Sequence, residues 1–208
     1  CGYTSEGSGT ETIEATAFLR FTPTVEAATT GEVRLRYSGG VPVSGATVTF
    51  THGDNEQLLA TFVESEAAGE EGVYRGSFQG YVRRLALSVT QSSDVIEATL
   101  EGPGQHILAA PANGTVYGRD TIGDEVKVVW STEDGLKADE VVVQFEENGF
   151  VSALDNDPGE LSVPAERVDD GINTISVVRR NRTNLAGGLG DSVFALEYEV
   201  INTIQYNP

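Results

Sequence analysis

The sequence predicts an all-β fold built as two successive β-sandwiches, and three observations predict it. Apolar residues recur with period two, the spacing of a strand that buries one face. Gly, Pro, Asn and Asp interrupt the pattern every ~8–12 residues, as in sandwiches. No window carries a helical apolar face. The best, residues 64–71 (Glu-Ser-Glu-Ala-Ala-Gly-Glu-Glu), lacks one, ends at Gly72 and reads as an acidic loop. Residues 164–170 suit one helical turn at most.

Residues 12–21 open the pattern: Ile13, Ala15, Ala17, Leu19 and Phe21 share one face, with Thr12, Glu14, Thr16 and Arg20 mostly on the other. Val33, Leu35 and Tyr37 follow, then Val48 and Phe50 between threonines, then Leu58, Ala60 and Phe62. Tyr74 and Phe78 mark a fifth strand, Leu85, Leu87 and Val89 a sixth, and Ile96, Ala98 and Leu100 a seventh. Seven short strands fit one sandwich of about 100 residues. Residues 102–114 read as a junction, because Pro103 and Pro111 disfavour continuous pairing. The alternation restarts at Val126, Val128 and Trp130, and continues through Val141, Val143 and Phe145. Leu161 and Val163 make a short strand. Ile172, Ile175 and Val177 follow the turn at 169–171, and Phe194, Leu196, Tyr198 and Val200 end the pattern. The expected organisation is a tether over 1–11, a sandwich over 12–102, a linker over 103–113 and a second sandwich over 114–208.

The 208 residues carry a formal charge of −19, from 32 acidic and 13 basic side chains. A nucleic-acid partner is excluded on charge, since phosphate contacts need a basic face. An anionic lipid surface would repel the chain for the same reason. Only Lys127 and Lys137 are lysines. High acid with scarce lysine suits salt or divalent cations, but the acid is spread along the whole chain and reads first as solubility through self-repulsion. No run approaches the ~18 apolar residues of a membrane helix. The single cysteine, Cys1, excludes an intrachain disulfide.

Cys1-Gly-Tyr-Thr-Ser-Glu-Gly-Ser-Gly-Thr resembles the mature end of a bacterial lipoprotein, in which a cysteine followed by a small polar tether carries the lipid. The resemblance implies lipid attachment at Cys1 and an extracytoplasmic, membrane-held chain. Gly2 stands where an inner-membrane retention signal would place Asp, so an outer membrane or cell surface is implied. Val-Pro-Val-Ser-Gly-Ala-Thr-Val-Thr-Phe-Thr at 41–51 and Gly-Val-Tyr-Arg-Gly-Ser-Phe at 72–78 are similar to segments of bacterial Ig-like and carboxypeptidase-regulatory-like domains. Val-Lys-Val-Val-Trp-Ser at 126–131 resembles the Trp-bearing strand of fibronectin type III domains. Asp-Gly-Ile-Asn-Thr-Ile-Ser-Val at 170–177 is similar to a strand of bacterial Ig-like repeats. Together they imply tandem Ig-like sandwiches and no activity, since that architecture hosts many functions.

Chemistry-bearing patterns are sparse. His52 and His106 are the only histidines, in different expected domains, and no serine sits in a Gly-x-Ser-x-Gly elbow. One terminal Cys and two distant His do not make a zinc site. Asp155, Asp157 and Glu160 lie in one short loop and are the best calcium candidates, although Pro158 breaks the EF-hand pattern and Asp-Pro-Gly is also an ordinary turn. No other cofactor is expected. Arg179, Arg180 and Arg182 form the one basic cluster, able to meet an anion or an acidic partner. The glycine-rich run at 186–191 lacks the Gly-Lys-Ser/Thr of a phosphate loop and reads as a long hairpin loop, which makes 180–191 the expected contact surface.

The reading is a non-enzymatic surface protein acting in adhesion, scaffolding or structural interaction. An alternative is a self-assembling filament or surface-layer subunit, with the strand over 12–21 completing a neighbour's sheet through backbone bonds. A third reading is an enzyme, a carbohydrate-active accessory or hydrolase, which would need a buried carboxylate pair in a cleft.

Overall fold

The computed structural model describes residues 11–24, 26–118, 120–132 and 135–207. The protein is all-β, with a larger mixed sheet, a three-stranded sheet and one 3-10 turn at Ala165–Arg167. The chain divides into two compact units: residues 1–102 with 181–197, and residues 103–180 with 198–208.

The first unit contains β1 (Ile13–Phe21), β2 (Ala28–Tyr37), β3 (Thr47–His52), β4 (Leu58–Glu64), β5 (Val73–Gln79), β6 (Arg84–Gln91) and β7 (Asp94–Glu101). Most grow from an alternation visible in the sequence; in β4 only Phe62 of the expected inward set is buried, and Leu58 is exposed. Along β1, Ile13, Ala15, Ala17, Leu19 and Phe21 are all buried, and the residues between them are half-buried. The antiparallel register pairs Ala15 with Leu35 and Ala17 with Val33, so β1 and β2 turn the same face inward. The strand order is β15-β1-β2-β5-β4-β3-β6-β7, in which β15 is Val193–Asn207. Side chains from β1, β2 and β5 meet Phe50, Phe62, Leu85, Leu87, Val89 and Ile96 in one core. Large core residues press close to the sheet where glycine gives room. A Cβ on Gly76 would lie 2.4 Å from the Phe62 ring, and one on Gly31 would lie 2.7 Å from Leu19 Cγ. β2 starts at Ala28, well before the apolar alternation, because Thr29 substitutes for an apolar residue: it is buried and donates its hydroxyl to Gly80 O at 2.6 Å.

The second unit contains β8 (His106–Ala110), β9 (Thr115–Gly118), β10 (Glu125–Thr132), β11 (Glu140–Phe145), β12 (Phe150–Asp155) and β13 (Glu160–Pro164). Most of β14 (Gly171–Asn184) and the end of β15 also belong to it. Its strands run β12-β11-β14-β15, with β9 parallel to β15, beside the smaller sheet β13-β10-β8. Val126, Val128, Trp130, Val141, Val143, Phe145, Val163, Ile175 and Val177 form its core.

Two expected boundaries change. Residues 103–113 are not a bare linker. Pro103 and Pro111 flank seven residues that each keep an N–H donor, and the last five, His106–Ala110, form β8 against β10, with Leu108 opposite Trp130. Residues 181–197 group with the first unit, since Leu185, Phe194 and Leu196 are buried in its core. A fragment ending at residue 102 therefore loses three core side chains and the strand beside β1. At roughly 1.5–3 kcal/mol for each large side chain, that loss rivals a domain's whole stability of about 5–15 kcal/mol. We expect residues 12–102 alone to show no cooperative urea transition, and the full chain to show one; matching transitions would refute the assignment of 181–197.

Candidate functional site

Arg179 follows Ile175 and Val177 on the inward face of β14, and its side chain has no exposed surface. The guanidinium cannot stay in that interior unpaired. It bonds Asp157 through Nε at 2.9 Å and Nη2 at 2.5 Å, donates through Nη1 to Gly104 O at 2.5 Å, and donates to Leu136 O. Asp157 also accepts from Trp130 Nε1 on Oδ1 at 2.7 Å and from the Ala138 amide on Oδ2 at 3.0 Å. Burial pushes the Asp157 carboxyl up, but the Trp130 indole, the Ala138 amide and Arg179 together hold it below the ordinary carboxylate value. Both oxygens are occupied, and the Asp157–Arg179 pair braces β10 and β14 against three connecting segments.

His106 lies beside the brace, buried in β8, with its ring 5.2 Å from that of Tyr198. Nε2 stands 3.2 Å from Val177 O, and a carbonyl only accepts, so Nε2 carries the proton. Nδ1 has no hydrogen-bond partner. Burial first, then the Arg179 charge, pulls this imidazole down to about 4, against the opposing pull of Val177 O and Asp157. The ring is neutral and closed off from solvent. The alternation at 175, 177 and 179 carried the signal for a buried arginine; His106 left none, because its strand is only five residues long.

The other expected site residues fall as follows. Asp155, Asp157 and Glu160 do not converge. Asp155 is exposed, Asp157 is taken by Arg179, and Glu160 pairs with Lys127 at 2.8 Å. Among the described residues no group of three or more His, Cys, Asp or Glu is placed to hold a metal ion. The arginine cluster also separates. Arg179 is interior, Arg180 pairs with Glu140 at 2.9 Å, and Arg182 is exposed. Ile13, Ala15, Ala17 and Leu19 fill the core of their own unit and Phe21 is buried, with β1 lying between β15 and β2 rather than at a free edge. Residues 185–192 are tied down, unlike a long free loop. Ala186 exchanges two backbone bonds with Glu97, Leu189 donates its amide to Ile13 O at 2.8 Å, and the buried Ser192 hydroxyl accepts from the Ala15 amide at 3.0 Å. Cys1 and the tether lie outside the described residues.

The first unit carries an open depression of about 440 Å³ lined by Phe18, Arg20, Thr30, Gly31, Glu32, Arg75 and Gly76. Its charges are matched internally. Arg75 reaches Glu32 at 2.8 Å and Glu70 at 2.5 Å, and Arg20 reaches Glu197 at 2.7 Å. The Arg75 and Ser65 bonds hold Glu70 down to about 2.

No family model matches this chain, and no curated protein matches it. A solved structure of the Yersinia pseudotuberculosis adhesin InvE is similar at 15% identity and a TM-score of 0.31, over 93% of this chain and 61% of that one. This chain thus spans less than two thirds of that protein's length, and a likeness of this size assigns no function.

Two outcomes follow from the brace. Asp157→Asn and Arg179→Met each strand a buried partner and should cost about 3–5 kcal/mol by urea unfolding. An exposed pair would cost under about 1 kcal/mol. For His106, the unfolded ring titrates near 6.5 and the folded ring near 4, so between those values the unfolded chain holds the extra proton. Its contribution is whole above pH 6.5 and lost as the pH falls to about 4, amounting to ~3 kcal/mol. His106→Gln keeps an N–H donor for Val177 O and should flatten that part of the stability–pH curve. Parallel curves for the two proteins would refute the buried neutral ring.

Proposed function

We propose that the chain is an extracytoplasmic, non-enzymatic interaction module, built of two Ig-like β-sandwich domains and held at a membrane surface through Cys1, with a role in adhesion or scaffolding. The observation that carries this reading is the use made of the buried polar groups. Asp157, Arg179, Trp130 and His106 are the residue types an enzyme would recruit. Here the carboxylate is saturated by donors, the guanidinium braces backbone carbonyls, and the imidazole is neutral and shut in. A scaffold uses such groups to fix its connections and presents its surface to a partner.

The paired charges of the depression support the same reading, since Arg20, Arg75, Glu32 and Glu70 bond to protein groups. No helix among the described residues is long and apolar enough to cross a membrane. Attachment through Cys1 rests on the Gly/Ser/Thr-rich run that follows it, and two acyl chains, each buried CH₂ contributing about 0.8 kcal/mol, would hold durably.

Cys1→Ser in the source cell tests the anchor. The native chain should sediment with membranes and gain the mass of acyl chains, while the variant should move to the soluble fraction at its bare mass. Equal partitioning of the two, or a native chain without added mass, would refute attachment at Cys1.

A further inference from the structure

Two Asn-x-Thr triplets occur in the chain, Asn113-Gly114-Thr115 and Asn181-Arg182-Thr183. Such a triplet is an acceptor for N-linked sugar only where a transferase can reach it, as in a surface turn of an exported protein. The fold separates them. Asn181 lies within β14, half-buried, with Nδ2 donating to Glu101 O at 2.9 Å. Asn113 lies in the tight connection between β8 and β9, where Ala112, Asn113 and Gly114 are all exposed.

The turn at Asn113 has a defined geometry. The Thr115 amide donates to Ala112 O at 3.0 Å, and Gly114 takes φ +77°, a left-handed value suited to glycine. The Thr115 hydroxyl donates to Ala112 O at 2.6 Å. The Asn113 side chain is oriented by Thr203, whose amide and hydroxyl meet Oδ1 at 2.8 and 3.1 Å. A backbone N–H only donates, so the atom facing Thr203 is the oxygen and the amide nitrogen is the free end. A sugar on Nδ2 leaves Oδ1 able to keep both Thr203 bonds.

We propose that Asn113 is an N-glycosylation site, modified by a saccharide carried on a polyprenyl phosphate or diphosphate. Nδ2 attacks C1 of the reducing-end sugar, the bond from C1 to the phosphate oxygen breaks, the lipid phosphate leaves with the electron pair, and Nδ2 gives up one proton. No oxidant or reductant is needed. The carboxamide oxygen stays on Thr203, so the turn survives the reaction, and the product places a hydrated polar chain beside exposed Val116. The inference rests on the export proposed above, because lipid-linked saccharide donors are used outside the cytoplasm.

The test is peptide mapping by mass spectrometry of the full chain purified from its source cells, with the cell fraction recorded. The Asn113 peptide should carry a saccharide mass increment and the Asn181 peptide should not. The increment should vanish in Asn113→Gln and in Thr115→Ala, and persist in Thr115→Ser and Asn181→Gln. Loss of the hydroxyl anchor and misfolding are thereby distinguished, since serine restores the acceptor triplet. A sugar-free or merely deamidated Asn113 peptide from surface-located protein overturns the glycosylation and leaves the location standing. A sugar-free peptide from cytoplasmic protein overturns both.

Discussion

An arginine with no exposed surface sets the terms for the second unit. Taking a guanidinium and a carboxylate out of water costs several kcal/mol per ion, recovered only when geometry and hydrogen bonding are nearly complete. Arg179 and Asp157 meet that condition by drawing in Trp130, Ala138, Gly104 and Leu136. The pair thereby ties strand interiors to the segments that join them. It also explains a costly turn. Asn156 and Asp157 hold φ values of +67° and +45°, followed by Gly159 at +86°. Left-handed non-glycine residues cost about 1–3 kcal/mol each. At Asp157 that conformation brings the carboxylate onto Trp130 and Arg179, so the bonds of the brace offset the strain.

The first unit solves a similar problem with a carboxylate nearer the surface. Glu64 accepts from the amides of Gly45 at 2.9 Å and Gly72 at 3.1 Å, and its Oε2 lies 3.4 Å from the Tyr74 hydroxyl. Tyr74 also accepts from the Ala46 amide and donates to Val43 O, both at 2.9 Å. Hydrogen bonds from Ser44 and Gly45 lead the influences that hold this carboxyl below its ordinary value. The acidic stretch that begins at Glu64 is thus partly a clasp: Glu70 bonds Ser65 at 2.6 Å and pairs with Arg75, while Glu66 and Glu71 face solvent. A run of like charge in sequence need not be one solvated patch, because each carboxylate answers to the donors its turn supplies.

Legibility followed the same physics. β1, β3, β6 and β7 were readable because their inward positions are apolar at period two, as at Ile13, Ala15 and Ala17 in β1, whereas β4 buries Phe62 and leaves Leu58 exposed. β8, β9 and β12 were not. β8 and β9 have five and four residues, too few for a period to show. β12 alternates half-buried and exposed positions, but it exposes Val151 and half-buries Ser152, so apolar residues do not mark its inward face. The candidate site was legible as residue types and hidden as geometry. Asp155, Asp157 and Glu160 are neighbours in sequence and look like one oxygen cluster. The left-handed turn sends Asp157 inward to Arg179 while Glu160 goes to Lys127. Arg179, Arg180 and Arg182 look like one basic patch until strand alternation sends Arg179 into the core.

The charge balance makes such pairings consequential. With 32 acids against 13 bases, most carboxylates have no cation available, and each arginine becomes a scarce resource. Arg75 serves both Glu32 and Glu70, and Arg179 serves one carboxylate and two carbonyls. These cations do two different things. Arg75 relieves repulsion between acids at the surface, where salt would do the same within a Debye length of about 8 Å. Arg179 acts where salt cannot reach, and its loss cannot be made good by the medium. Raised ionic strength should therefore leave the brace untouched while replacing the work of the surface pairs.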